Sequence, residues 1–406
     1  MKYLIYVFAV LSVNLSAQSQ VLDESLKQKA NQLAQKFIIA DGHVDLPYRL
    51  KITNFKLQKE YLGIPYQTDK GDFDFVRARK GGLDAPFMSI YIPASTQLEG
   101  GAKELADSLI NMVNFIAANQ SQYFQIAYHP KDVKKAKKAG KIALPMGMEN
   151  GAPVENDLNL IPYFKKRGIS YITLTHSKDN KICDSSYDTT RTWKGLSPYG
   201  YKVLDQMQKS GIMVDISHVS DSAFYQTVRY VKVPVIASHS SCRKFTPGFE
   251  RNMDDDMIRL MKKNGGVIMV NFGSGFLDHN VSSHNDSLRN LYQTLLSEKG
   301  IKEGSEQAKT FSQEFQKQHP KLYSDVEKVA DHIDHIVALA GVDHVGFGSD
   351  YDGVGDSLPT GLKDVSDYPN LIYVLLQRGY SDQDIEKMCS ENLFRVWNKV
   401  IKKADK

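Results

Sequence analysis

The chain is short of several things, and each shortage removes a class of protein. It carries three cysteines, Cys183, Cys242 and Cys389, in 406 residues. None has C-x-x-C spacing, so a cysteine zinc module is excluded, and three are too few for a disulfide scaffold. One disulfide is the most they can form. No G-x-G-x-x-G or G-x-x-x-x-G-K-[ST] follows any strand-like run, so nothing points to a nucleotide cradle. No long Lys/Arg block occurs, and 51 basic against 47 acidic residues leave a net charge of only +4. That balance gives no case for nucleic acid as a partner. The short basic run "KDVKKAKKAGK" at 131–141 reads as the solvated side of a helix. Internal apolar runs of membrane-spanning length, roughly 20 residues, are also missing. The C-terminus "WNKVIKKADK" is polar.

The N-terminus is different. "MKYLIYVFAVLSVNLSAQSQ" has one Lys, then an apolar run, then small and polar residues. This is the layout of a secretory signal peptide, with cleavage expected near Ala17 or Gln18. The expectation is therefore a signal peptide over 1–18 and a single domain over 19–406. The protein would be exported to the periplasm or secreted, without a stable membrane anchor.

What is present is an alternation of strand and helix. Short apolar, β-branched runs occur at 37–45, 87–93, 142–150, 170–176, 212–218, 233–240, 266–272 and 344–350. Between them lie stretches of helical period: 102–120, 199–211, 220–230, 253–266 and 325–341. Continuous apolar runs suit strands buried on both faces of a parallel sheet. Eight such units predict an α/β chain folded as a (β/α)8 barrel, with a doubly wound open sheet as the alternative. The long gaps at 46–86 and 273–324 read as insertions around the barrel ends, suited to a lid or an oligomer contact.

In such a barrel the chemistry sits at the C-terminal ends of the strands. Strand 1 ends in "DGHVD", with His43 and Asp45. Strand 3 ends in Glu149, strand 4 in His176, strand 5 in His218 and strand 6 in His239. Strand 8 ends in Asp350 and Asp352. Four of the eleven histidines thus fall on strand C-termini beside several carboxylates. His43 and Asp45 are two apart on a strand, so their side chains share one face, with Cα atoms roughly 7 Å apart. Imidazole with carboxylate and no thiolate suits zinc or another borderline divalent ion. The donor count exceeds one tetrahedral shell, which suggests two ions, with Glu149 the natural bridge. His332 and His335 read as structural helix residues, and His344 precedes strand 8 at the wrong end for chemistry.

Taken together, "DGHVDLP", "GMENG", "YITLTHS", "DISHVS", "ASHSS", "ERNMDDDMIRLMKKNGGVIMVNF" and "HVGFGSDYDGV" resemble the membrane dipeptidase (renal dipeptidase) family of zinc peptidases. The motifs run in family order over roughly residues 25–400. The resemblance implies a (β/α)8 barrel of the metal-dependent hydrolase type with two Zn2+ per chain, cleaving dipeptides. It implies that His43 and Asp45 hold one zinc, that Glu149 bridges both, and that His218 and His239 hold the second. His176 would contact the substrate near the scissile carbonyl, Arg251 would bind its carboxylate, and Asp350 would shuttle the proton. A hydroxide shared by the ions would be the nucleophile. Dipeptides with a C-terminal D-residue are expected among the substrates, and a homodimer is expected of the family.

The chain departs from the mammalian members in three places. It lacks a C-terminal apolar tail for a lipid anchor. Its loop after strand 4, containing Asp179, Asp184 and Asp188, is closer to bacterial members. Phe276 stands where a mammalian-type sequence would carry Tyr. Asp179, Asp184 and Asp188 read either as contacts for a substrate amine or as residues of a solvated loop. Two other functions remain open: a metal-dependent amide or β-lactam hydrolase on the same site, and a non-catalytic metal-bound scaffold.

Overall fold

Eight parallel strands pair in chain order and close on themselves. They are β1 (Ile39–Val44), β2 (Leu83–Tyr91), β3 (Met146–Glu149), β4 (Ile169–Thr173), β5 (Met213–Asp215), β6 (Ile236–Ala237), β7 (Val267–Val270) and β8 (Val345–Phe347). Asp41 opposite Phe347 closes the ring. The chain is therefore a (β/α)8 barrel. The computed structural model describes residues 23–54 and 66–404, so the signal-peptide reading of 1–18 lies outside the described residues.

Local chemistry accounts for the helices between the strands. Ser197 caps Pro198–Ser210 by accepting from Gly200 N, and Gly211 ends that helix at φ 67°. Ser220 caps Asp221–Tyr230 through Ala223 N. Asp254 caps Asp255–Asn264 through Met257 N, and lysines 262 and 263 occupy its last turn, where the helix dipole favours cations. The amphipathic helix Val326–Ala340 is capped by Asp325. Each predicted helix thus forms within a residue or two of its expected ends.

Four strands stop short of expectation: β4, β5, β6 and β8 end at Thr173, Asp215, Ala237 and Phe347, so His176, His218, His239 and Asp350 stand two or three residues beyond the strand ends. Two others differ further. The run 142–150 divides at Pro145. Ile142–Leu144 pairs with Phe124–Ile126 in a separate two-stranded sheet, and Met146–Glu149 enters the barrel. Proline has no N–H to continue a ladder, and Pro145 O accepts from Met88 N at the crossing. β2 begins at Leu83, four residues before the apolar run at 87–93. The buried Asp84 breaks that run in sequence, but Lys137 Nζ meets its carboxylate at 2.6 Å. The insertion at 273–324 is largely two helices, His279–Glu298 and Glu306–Gln318.

Two buried clusters hold the fold. The larger fills the layer between the strands and the surrounding helices. The smaller lies inside the barrel, where Ala40, Ala85, Phe87, Tyr171, Met213 and Met269 meet Phe394, Trp397 and Val400 of the C-terminal helix Asn392–Ala404. Phe87 and Trp397 pack edge to face at 5.1 Å. Ile38 and Val233 join this cluster, placing it toward the N-terminal ends of the strands. Arg395 fastens the same helix to Gly265 O and Asp343 O, just before β7 and β8. That end of the barrel is closed, which leaves the C-terminal end for chemistry.

Candidate metal centre

At the C-terminal mouth, donors from four strands converge on one carboxylate. Glu149, the last residue of β3, points its two oxygens at different histidines. Oε2 lies 3.2 Å from His43 Nε2. Oε1 lies 3.1 Å from His218 Nε2, 3.4 Å from His239 Nε2 and 3.5 Å from His176 Nε2. Ser89 Oγ of β2 donates to Oε2 and helps fix the carboxylate. Asp45 Oδ2 lies 3.4 Å from His43 Nε2. Three groups, His43–Glu149–His239, Glu149–His176–His218 and His43–Asp45–Asp350, each bring one donor atom per residue within 4.8 Å of one another.

Hydrogen bonds behind the histidines decide which nitrogen faces the site. Tyr171 O–H donates to Gly42 O, so its oxygen accepts from His43 Nδ1–H at 2.9 Å. In the neutral ring His43 Nε2 then carries a lone pair, buried without a hydrogen-bond partner. Burial would lower its pKa, but Tyr171, Glu149 and Asp45 outweigh burial and raise it well above the ordinary value, so the site draws a cation, proton or metal, to that nitrogen. Ser238 O–H donates to Asp215 Oδ2, so its oxygen accepts from His239 Nδ1–H at 2.7 Å. His239 Nε2 likewise faces inward as an acceptor. It sits 2.8 Å from His218 Nε2, which itself accepts from Arg251 Nη2 at 3.1 Å. Acceptor nitrogens this close, ringed by carboxylate oxygens, are reconciled by a cation between them. The donor set fits divalent metal, and the backing hydrogen bonds are those that orient metal-ligating imidazoles.

The electrostatics follow from burial and crowding. Burial would raise the Glu149 carboxyl, but positive charge on the imidazoles around it, His43 first, overcomes it and holds it well below the usual range, the same pull a cation in the site would exert. Burial, with Arg251 and neighbouring imidazoles, pushes His218 and His239 well down, so both stay neutral. Burial and the Asp45 charge push Asp350 up to about 7. Asn271 Nδ2 donates to Asp350 Oδ2 at 2.8 Å and fixes its orientation. His218 and Asp350 both adopt left-handed backbone, at φ 69° and 62°. For non-glycine residues this is uncommon and marks a locally over-determined conformation.

Arg251 is 3% exposed and reaches the site from a loop. Its Nη1 donates to Ser240 Oγ and its Nη2 to His239 O, while Nε is buried without a partner. His176 lies at the rim, with Tyr91 edge-on to its ring at 4.9 Å. His176, Tyr91, Glu149, His218, His239 and Asp350 border a cavity of about 700 Å³ open to solvent, lined also by Tyr48, Tyr187 and Phe276, and Arg251 lies behind Phe276.

The structure brings together His43, Asp45, Glu149, His176, His218, His239, Arg251 and Asp350. The shared strand face expected of His43 and Asp45 is only half the reason. β1 ends at Val44 after a register shift, and Asp45 N bonds Tyr351 O beyond the strand. Asp352 turns away from the centre and pairs with Arg49 Nε at 2.8 Å. Asp179, Asp184 and Asp188 spend their carboxylates on the loop's own backbone, including Ser185 N, Gly195 N and Thr190 N. Asp184 and Asp188 are buried, so the loop is not the solvated one expected. His332 is a structural tie, bonding Cys242 N and Leu277 O. All three cysteines are free and buried.

Sequence reading missed Tyr171, Asp215, Ser238 and Asn271. Only Tyr171 left a signal, since a tyrosine inside a buried strand needs a partner for its hydroxyl. Gly147 makes room for it: a Cβ there would stand 1.9 Å from Tyr171 Cζ.

A closed (β/α)8 barrel carrying a histidine–carboxylate centre at its C-terminal mouth is the architecture of a metal-dependent hydrolase. The model of the membrane dipeptidase family, peptidase family M19, matches residues 27–406, and the chain belongs to that family. It is a metallopeptidase of the dipeptidase type. Dipeptidase 3 of Rattus norvegicus is 30% identical over 389 residues, covering 95% of this chain and 69% of the relative. Dipeptidase 3 of Mus musculus is equally similar over 388 residues. Among solved structures, the probable dipeptidase PvdM of Pseudomonas aeruginosa superposes with a TM-score of 0.77 at 25% identity, covering 94% of this chain and 99% of its own. A metallopeptidase of Rhodobacter sphaeroides, liganded with a phosphinate mimic of L-Ala-D-Ala, gives 0.72 at 21% identity, covering 90% and 99%. No helix among the described residues is long and apolar enough to cross a membrane.

Proposed function

We propose that this protein is a binuclear zinc dipeptidase that hydrolyses dipeptides with a free C-terminal carboxylate, including those ending in a D-residue. The observation that carries the reading is the splayed Glu149 carboxylate, one oxygen toward His43 and the other toward His218 and His239. His43 and Asp45 would hold one ion, His218 and His239 the other, and Glu149 both. When bound, such a pair supplies a water acidic enough to ionise near neutral pH and polarises a carbonyl.

The chain's own residues do the rest. Arg251, held in place through Ser240, His239 and His218 with its Nε unpartnered, offers its remaining N–H groups to the substrate carboxylate, and that charge pairing rejects an amidated or extended C-terminus. His176, whose ring lies 4.2 Å from that of His218, is kept neutral by burial and can donate to the carbonyl oxygen as charge develops. Asp350, held by Asn271, takes the proton released at the nucleophile and passes it to the leaving amine. The L-Ala-D-Ala mimic bound by the Rhodobacter sphaeroides protein supports including D-residues. The N-terminal sequence supports export, and family membership supports a homodimer.

The test is a panel of L,L and L,D dipeptides, tripeptides and dipeptide amides, with metal counted on the same sample. Expected are dipeptide cleavage alone, loss with chelator and recovery with zinc. Absence of dipeptide cleavage by protein carrying its metal would refute the proposal. Sedimentation of the purified protein tests the dimer, and cell fractionation tests export.

A further inference from the structure

The cavity over the metal centre adjoins a second one of about 630 Å³, and the two share Tyr187, Phe276, Val354 and Ser357 in their linings. The far wall of this second cavity comes from the inserted helices His279–Glu298 and Glu306–Gln318. Its floor is aromatic. Tyr292 lies 5.3 Å from Phe315, whose ring lies 4.5 Å from His319. The charges around it are already paired, Arg289 with Asp286 and Lys321 with Asp356. Those pairs lie at the exposed rim, and the partly buried floor offers its rings to a flat apolar group.

Arg251 lies behind the seam, packed against Phe276, which lines both cavities. Its guanidinium lies 5.6 Å from the Phe276 ring, and Phe249 lies 5.8 Å beyond Phe276. On the other side of the seam Tyr187 faces both Phe249 and His218, at about 6 Å from each.

We infer that the second cavity receives the side chain of the substrate's C-terminal residue, and that it takes large aromatic side chains of the tryptophan and tyrosine class. The inference rests on the dipeptidase reading above. A carboxylate held by Arg251 places the adjoining Cα at the seam. The scissile amide occupies the direction of the histidines, so the side chain is left the direction past Phe276. Methyl or hydrogen would leave that cavity empty; an indole or phenol buries its rings against Phe276, Tyr292 and Phe315. The insertion thus becomes a specificity element.

Steady-state kinetics on Ala-Gly, Ala-Ala, Ala-Tyr and Ala-Trp test this in the metal-loaded wild type and in Ser282→Trp and Ser312→Trp. Both serines line the second cavity on the inserted helices, away from the metal centre. Wild type is expected to favour Ala-Trp over Ala-Ala by roughly tenfold or more in kcat/KM. The filled variants should lose that preference, mainly through KM, and keep Ala-Gly cleavage within about twofold. Metal content and thermal midpoint show that each variant is folded and loaded, and either serine variant alone suffices. A flat wild-type profile, or equal losses on all four substrates, overturns the subsite and leaves the dipeptidase reading standing. No cleavage of any of the four overturns both.

Discussion

Gly353 offers a sharp test of the proposed centre. A Cβ built on it would stand 2.2 Å from Asp350 Oδ1 and 2.2 Å from Asp45 Oδ2, where ordinary contact begins near 3.4 Å. In Gly353→Ala both carboxylates must therefore retreat by about 1 Å. A misplacement of that size at a reacting group costs about 100-fold, or about 2.7 kcal/mol in the barrier. Fixing a ligand carboxylate out of place should also weaken metal binding by about tenfold. The fold should not suffer. Gly353 is exposed and its φ lies outside the left-handed region, so alanine is conformationally allowed. Stability is expected to stay level or rise by about 0.5 kcal/mol, because alanine narrows the unfolded ensemble. The assay is kcat/KM on a cleaved dipeptide, with metal per chain by elemental analysis and a thermal midpoint. Wild-type activity and metal content in Gly353→Ala would refute the roles proposed for Asp45 and Asp350. A lower midpoint with unchanged kcat/KM would locate the contact in folding instead.

Other perturbations separate the remaining parts. Tyr171→Phe removes the acceptor behind His43 Nδ1 and should weaken metal binding about tenfold in chelator competition, with the midpoint little changed; unchanged affinity would discount Tyr171 as an orienting group. Arg251→Met should raise KM about 100-fold for dipeptides and erase discrimination against dipeptide amides, and persistence of that discrimination would place the carboxylate elsewhere. Burial holds His332 down at about 4 against an ordinary 6.5, so the unfolded chain takes up a proton below pH 6.5 that the folded chain refuses until about 4. Stability from this group is complete above 6.5 and should fall by about 3 kcal/mol on acidification through that window. In denaturant titrations of metal-free protein from pH 8 to 5, His332→Gln should show a shallower loss than wild type, and parallel curves would contradict it.

The fold was legible because a parallel barrel leaves a strong one-dimensional trace. Each strand is buried on both faces, so it reads as a short apolar run between helices with their own caps. Where the trace failed, one residue is responsible. Pro145 cut a run that looked continuous, and Asp84 hid the start of β2 because its partner Lys137 lies 53 residues away. The site was legible for a related reason: a barrel puts chemistry at strand ends, so His43, Glu149, His176, His218 and His239 mark themselves by position. Asp179, Asp184 and Asp188 looked equally suited to chemistry in sequence. Only the folded loop reveals that its own N–H groups consume them.

The sequence by itself determined the eight-unit alternation, the family and which residue types stand at each strand end, because these depend on local pattern and order along the chain. The tertiary structure alone decided the rest. Which imidazole nitrogen faces inward depends on Tyr171 and on the Ser238–Asp215 pair, from neighbouring strands distant in sequence. The two directions of the Glu149 carboxylate, the contact of Gly353 with Asp45 and Asp350, and the aromatic cavity beyond Phe276 arise only when separate segments meet. Hydrogen-bond direction and cavity shape are properties of such meetings, and no spacing within the chain encodes them.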